Sequence, residues 1–253
     1  MMLGFDISYF EAKYRASEAV CQIIGPATPQ GFADYCPRFV QGTFTTVEIL
    51  VLCCLIGLVV AVPMALARVS SNKWLSVPAY VYIYVFRGTP LLVQLFLFYY
   101  GLGQFEVLRE SFLWPVLRDG WWMGVIVLSI NTSAYVAEIL RGGIKGVPEG
   151  QVEAGRAAGM SGMLLYRRII LPQAFRIAWP AYGNEVILML KASALTSAIT
   201  VMDLMGQTRT IFSRSYDLEI FVYAAVLYFV MAFMLTYLFR LVERRLKRHI
   251  AYR

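Results

Sequence analysis

The feature that most constrains this chain is the run from Thr43 to Ala67, TFTTVEILVLCCLIGLVVAVPMALA, which carries a single charge, Glu48. A hydrocarbon core is crossed by roughly 20 apolar residues in helical conformation, and this run is long enough to do it. Pro63 near its end is tolerable in a packed helix bundle, where neighbours satisfy the backbone groups it frees. Composition says the same of the whole chain. Hydrophobic residues make up 59% and charged residues 15% of its 253 positions, against about 45–50% and about 25% in ordinary soluble domains. Mean hydropathy is +0.61. A soluble domain of this size would lack the polar surface to cover its core, and disordered, collagen-like and disulfide-rich classes are excluded by the same numbers. A polytopic membrane protein is expected.

Four further spans are expected. One, from Trp74 to Gly103, is interrupted by Arg87-Gly88-Thr89-Pro90; its first part reads as a surface or shallow helix and its second completes the crossing. The others are near 121–140, 177–200 and 219–239. Five spans put the termini on opposite sides. Of the Lys and Arg residues, fourteen then fall on the side of the 146–176 loop and the C-terminus, seven on the other, and Arg87 and Lys191 lie within spans. The excess of basic residues marks the cytoplasmic side. The expectation is an all-α integral membrane fold with an outward N-terminus, a cytoplasmic C-terminus and a cytoplasmic helical hairpin. The segments are 1–41, an interfacial helix and loop outside; 42–245, the membrane domain; and 246–253, a basic tail suited to anionic headgroups. No apolar stretch with a basic leader indicates a cleaved signal peptide.

Several chemistries lack their parts. No Cys/His cluster exists, and the one histidine is His249, so neither a metal site nor a histidine-based triad is expected. No G-x-x-x-x-G-K-[ST] loop is present to cradle ATP phosphates. Cys53 and Cys54 sit in an apolar run as small hydrophobes. Cys21 and Cys36 can pair if their segment faces an oxidising compartment. No internal repeat of the secondary-transporter kind is evident. No cofactor is implied.

The polar loop 146–176 reads as a helix, a turn at Gly159, a second helix and then Leu171-Pro172 opening the next span. Small residues Ala154, Gly155, Ala157 and Ala158 would let a partner surface approach closely; the plain alternative is a connector. The sequence Glu153-Ala154-Gly155, then Gly159, then Ile169-Ile170-Leu171-Pro172 resembles the EAA signature of ABC-importer permeases, with Gly155 in place of the second alanine. FRGTPLLVQLFLFYYGL from Phe86 and PAYGNEVILMLKASAL from Pro180 resemble motifs of the polar amino-acid branch. The likeness covers about 42–245, and is to the M subunits of histidine and lysine-arginine-ornithine permeases and their opine relatives. It implies a type I importer permease in the bacterial inner membrane. Its partners would be a sister permease (a heterodimer), two cytoplasmic ATPases and a periplasmic substrate-binding protein. Glu153, Ala154, Gly155, Gly159, Leu171 and Pro172 would form the coupling element that seats in the ATPase.

Polar groups inside the spans are the other candidates. Glu185 lies mid-span, where a carboxylate costs at least about 2.5 kcal/mol unless it meets a partner or a cavity. It can contact a cationic substrate or pair within the bundle. Asn184 belongs to the same motif. Lys191 can meet a carboxylate or snorkel. Asn131 and Tyr135, one helical turn apart, can line a pathway or make interhelical hydrogen bonds. Glu138 is placed to pair with Arg141. Ser193 and Thr196 can bind substrate or backbone carbonyls. At the Arg87–Pro90 break, Arg87 can tie freed carbonyls or anchor at the interface. Trp121-Trp122 and Tyr99-Tyr100 suit an outer aromatic belt. The function expected is ATP-driven import of polar amino acids, cationic ones or opines, by a subunit that is not itself an enzyme. The alternative is an ion-coupled transporter using Glu185; an intramembrane enzyme would need paired catalytic groups, and only isolated ones are found.

Overall fold

The computed structural model describes residues 7–24 and 28–247, and all regular structure among them is helical. The main elements are α1 (Ile7–Ile24), α2 (Cys36–Val69), α3 (Lys73–Gly88), α4 (Leu91–Phe96), α5 (Gly120–Lys145), α6 (Glu149–Ala157), α7 (Leu171–Ala192), α8 (Leu204–Ser215) and α9 (Glu219–Lys247). By length and composition α2, α5 and α9 can each cross a membrane. Two more crossings are available if each bent pair counts as one: α3 with Leu91–Gln104, and Gly162–Ile199 with α8.

The boundaries differ from the expected ones for physical reasons. The span expected from residue 42 or 43 begins at Cys36 instead, because Pro37 in the first turn has the helical φ and lacks an N–H that would go unpaired there. The first helix is correspondingly well formed, over Ile7–Ile24. The last helix runs on past 239 to Lys247. Residues 246 and 247 of the expected tail therefore continue α9, whereas 248–253, with His249, lie outside the described residues. The span expected over 177–200 opens at Leu171, with Pro172 in its first turn, and gives way to a 3-10 turn over Ser193–Ile199.

The chain divides into two compact units. The first comprises residues 1–53, 90–128 and 189–232. Its core joins Phe32, Cys36 and Phe39 to Leu204, Ile211, Ile220 and Ala224. Phe32 and Phe39 stack at 5.3 Å between ring centroids, with Tyr223 edge-on to both. Helix α1 is tied to α2 covalently by a disulfide between Cys21 and Cys36, whose Cα atoms are 5.9 Å apart. Further along, Lys13 Nζ reaches Glu48 Oε2 and Thr45 Oγ1, each at 2.9 Å, while the Tyr9 hydroxyl donates to Glu48 Oε1. Burial first, then the hydrogen bond and charge of Glu48, push the Tyr9 hydroxyl up to about 12, so it remains a donor at neutral pH.

The second unit comprises 54–89, 129–188 and 233–253. Its helices approach through small residues, as membrane helices do when dispersion and hydrogen bonds must replace hydrophobic drive. A Cβ on Gly57 would stand 2.3 Å from the Thr132 methyl, and one on Gly143 would stand 2.6 Å from the Ala174 carbonyl oxygen. One cluster gathers Ala61, Ala65 and Ile83 with Ala134, Val136 and Ala137. A second gathers Val147, Leu165, Ile170 and Ala174. The Trp179 indole N–H donates to the Phe239 carbonyl at 3.2 Å, tying α7 to α9.

Adjacent glycines in α5 separate close approach from propensity. Gly143→Ala is expected to destabilise the subunit by about 1–3 kcal/mol through overpacking against Ala174. Gly142→Ala, with nothing within 4 Å of its new methyl, is expected to be neutral or mildly stabilising. Thermal unfolding of the two variants in detergent checks this, and equal midpoints would remove the close-contact reading.

Candidate functional site: a capped hairpin and an intramembrane polar cluster

Helix α6 has its negative Glu149 in the first turn and Arg156 in the last, each on the favourable end of the helix dipole. It stops at Gly159, which adopts φ +79°. There the Met160 N–H bonds the Gly155 carbonyl at 3.0 Å and the Gly159 N–H bonds the Arg156 carbonyl at 2.9 Å. That is a Schellman cap, the arrangement that satisfies the last carbonyls of a helix and favours glycine in the left-handed position. The chain then re-enters helix at Gly162–Leu165 and a π turn over Tyr166–Ile170, and leads into α7.

The hairpin has a small core of its own. Val152, Met160, Tyr166 and Ile169 pack on the buried Val147, Leu165 and Ile170. Gly155 is buried, and a methyl there would lie 2.7 Å from a terminal methyl of Leu165. Glu153, Ala154, Ala157, Ala158 and Gly159 are exposed, as are Leu171 and Pro172 at the start of α7. Met163 is 79% exposed, a large apolar side chain at the tip that the sequence reading did not single out. A cleft of about 480 Å³ opens beside it, bounded by Arg156, Gly159, Ser161 and Tyr166. Geometrically this is a stiff knob with small side chains facing out.

The second constellation forms where α3 ends. A helix end leaves carbonyls without intrahelical partners, and in an apolar medium each must find one. The Asn131 side-chain amide donates to the Phe86 carbonyl at 3.2 Å and the Tyr135 hydroxyl to the Arg87 carbonyl at 3.4 Å. The Thr89 hydroxyl closes back on the Val85 carbonyl at 2.8 Å. The carbonyl-tying role considered for Arg87 thus falls to these three residues. The Arg87 guanidinium instead lies over the Tyr135 ring, 5.1 Å from its centroid, a cation–π contact. From the position next to Asn131, the Thr132 hydroxyl donates to Glu185 Oε1 at 3.4 Å, and Glu185 is only 6% exposed. Thr132 was not foreseen as its partner, because a hydroxyl with no charge or motif has no signature in one dimension. Asn184 is exposed. At the end of this face Arg141 grips both oxygens of Glu138 as expected.

Three expected pathway residues lie in the first unit. Lys191 is exposed. Ser193 and Thr196 are fully buried, and their hydroxyls donate to the Leu190 and Ser193 carbonyls, each at 2.7 Å. Such back-bonding serves the tight turn that follows α7. Among the described residues no group of His, Cys, Asp and Glu is arranged to hold a metal.

The binding-protein-dependent transport system inner membrane component family matches residues 55–248, a stretch that contains both the hairpin and the polar cluster. This chain belongs to that family. It is 45% identical to the nopaline transport system permease protein NocM of Agrobacterium fabrum (strain C58 / ATCC 33970), over 85% of this chain and 90% of that one. It is also 45% identical to the histidine/lysine/arginine/ornithine transport system permease protein HisM of Escherichia coli (strain K12), over 83% and 89%. The octopine transport system permease protein OccM of Rhizobium meliloti is 50% identical over 74% of this chain and 77% of that one. Among solved structures, an amino acid ABC transporter with histidines superposes with TM-score 0.77 at 41% identity, covering 85% of this chain and 97% of that one. The MetNI methionine ABC transporter, at 17% identity and TM-score 0.72, shares the fold.

The cap makes a prediction for this permease. Gly159→Ala places a Cβ at positive φ and is expected to cost the hairpin about 1–2 kcal/mol. Faster protease cleavage within the hairpin in membrane vesicles is the readout. Gly155→Ala is expected to cleave at the wild-type rate, since only a mobile Leu165 methyl must move.

Proposed function

We propose that this chain is the membrane permease of an ATP-driven importer for polar amino acids, with cationic amino acids and the opines derived from them as the substrate class. The carrying observation is its 45–50% identity to permeases named for histidine, lysine, arginine, ornithine, octopine and nopaline transport. Family membership leaves the ion-coupled alternative without support.

In this reading the hairpin is the coupling element. Glu153, Ala154 and Gly159, with Leu171 and Pro172 at its exit, seat in a separate cytoplasmic ATPase, while the buried Gly155 lets the hairpin close on Leu165 behind them. A sister permease and an external substrate-binding protein complete the assembly, which sits in the bacterial inner membrane. ATP binding draws the ATPases together, the hairpin moves as a rigid body and the pathway opens outward; hydrolysis and product release return it. Work is done only because ATP and substrate bind the two states with different affinity. The stiffness of the hairpin supports this role: a knob with its own core transmits displacement that a loose loop would absorb.

We place Glu185 on the substrate pathway, offering its carboxylate to the cationic end of the substrate. Asn184, exposed next to Glu185 in the chain, adds a neutral donor, and Asn131 and Tyr135 line the path while holding the α3 end; Lys191 meets the substrate carboxylate, and Ser193 and Thr196 contribute hydroxyls or shape the turn that follows α7. The orientation we propose is five crossings with the N-terminus outside and the hairpin and C-terminus in the cytoplasm. Two independent features support it: the excess of basic residues on the hairpin side, and the Cys21–Cys36 disulfide, which needs an oxidising compartment.

Reconstituted uptake of labelled arginine and histidine with the partner subunits tests the function. Uptake is expected to require ATP, to fall at least about tenfold in Glu153→Lys, where a like-for-unlike charge meets the ATPase, and to change its arginine-to-histidine ratio in Glu185→Gln. Uptake that ignores ATP and follows a proton gradient would sink the reading. The orientation has its own check in intact spheroplasts. A membrane-impermeant maleimide should label Cys21 and Cys36 only after reduction from outside; labelling only after lysis would invert the topology.

A further inference from the structure

The first unit holds a cavity that the coupling element and the Glu185 cluster do not use. Its volume is about 700 Å³, within the range of small-molecule sites. Helix α1 supplies Tyr9 and Lys13, α2 supplies Glu48, and the entry to α5 supplies Arg118, Trp121 and Trp122. Helix α1 precedes residue 55, where the family match begins, so one wall of the cavity lies outside the matched stretch.

The groups in the cavity divide by whether they are committed. Lys13 and Glu48 are bound to one another at 2.9 Å, and the Tyr9 hydroxyl takes the other Glu48 oxygen. Only 12% of the Lys13 side chain is exposed. These three form a neutral, satisfied wall. Arg118 is different: it is exposed on the cavity and makes no ion pair among the described residues. Beside it, Asp119 Oδ1 accepts the backbone N–H groups of Trp121 and Trp122 at 3.0 and 3.1 Å. That cap fixes the turn from which both indoles project. The indoles stand edge to face, 4.8 Å apart between centroids, and each is half-buried. The aromatic pair expected at the outer interface also lines this cavity.

A guanidinium free to pair, set beside two fixed indole faces and a carboxylate, matches a ligand with an acid at one end and a cation at the other. Arg binds carboxylates through two parallel hydrogen bonds, and indole faces attract cations. We propose that this cavity is a binding site, on the outer side, for free cationic amino acids and their opine conjugates: Arg118 holds the carboxylate, the Trp121–Trp122 pair receives the cationic side chain, and α1 closes the wall. The substrate class and the side of the membrane rest on the function proposed above. The site deepens that function by giving the permease its own contact with substrate, distinct from Glu185.

The test uses the permease assembled with its sister subunit and ATPases in lipid nanodiscs, without binding protein. Labelled L-arginine and octopine are titrated by equilibrium binding, with tryptophan fluorescence alongside. Saturable binding is expected, weakened about ten- to a hundredfold by Arg118→Gln and partly recovered in Arg118→Lys. The Trp121→Phe/Trp122→Phe double variant should lose the fluorescence change, and Arg118→Gln should weaken binding by the same factor in the Glu185→Gln background. Equal affinity in wild type and Arg118→Gln overturns the proposal, as does binding abolished by Glu185→Gln alone, or a signal that follows the lipid composition and not added arginine. ATP-dependent uptake by the same complexes with binding protein separates the two readings. Intact uptake without Arg118-dependent binding removes the cavity site and leaves the importer; no uptake with Arg118-dependent binding does the reverse.

Discussion

The constraint on which this structure depends is that no backbone carbonyl can go unpaired where water is absent. It is met inside each helix at no special cost, and becomes demanding where the chain stops being helical within an apolar stretch. The end of α3 is such a place. Gly88, Thr89 and Pro90 interrupt the helix, and three carbonyls in succession are taken by Thr89, Asn131 and Tyr135. Asn131 and Tyr135 project from α5, so the break in one helix is held by the face of another. The residue next to Asn131, Thr132, points round the helix and bonds Glu185. A requirement of backbone chemistry thereby fixes the positions of Asn131 and Tyr135 on α5.

The hairpin solves a different problem with similar economy. Helix α6 is too short to persist by itself, yet it is capped by Gly159 and given a core by Val152, Met160 and Leu165. The outward face is left to small residues and to Met163. The hairpin thus combines internal packing with an outward face that is small-residued except at Met163 and its neighbours.

Much of this was legible in the sequence, for reasons that differ by element. The apolar run of α2 and the basic residues flanking the spans are one-dimensional signals, since hydropathy and charge need no partner to be read. The turn at Gly159 was legible because a left-handed residue favours glycine. The start of α2 at Cys36 was missed because the turn there looks polar; Pro37 suits a first turn, and the disulfide and Phe39 packing on Phe32 add the tertiary contacts that hold it. Of the two roles open to Arg87, carbonyl tying went to the neutral Asn131 and Tyr135, whose interhelical hydrogen bonds were one of their own two readings. The chamber beside Trp121 and Trp122 was illegible, being built from segments more than a hundred residues apart in the chain.

The Cys21–Cys36 disulfide carries a consequence for the order of events in biogenesis. The bond closes a loop of local sequence, separated by 15 positions, and thiols of the cytosol are kept reduced. In the proposed orientation the segment carrying Cys21 and Cys36 must be exported before the tie can form, and the seam between α1 and α2 matures later than the apolar helix it is anchored to. A newly inserted subunit passes through a reduced stage in which α1 is held by the contacts of Lys13, Tyr9 and Glu48 and by the packing of Ile24. Completion of its outer face then belongs to the cell's thiol-oxidising machinery, and a host lacking that machinery would accumulate the subunit inserted but unfinished.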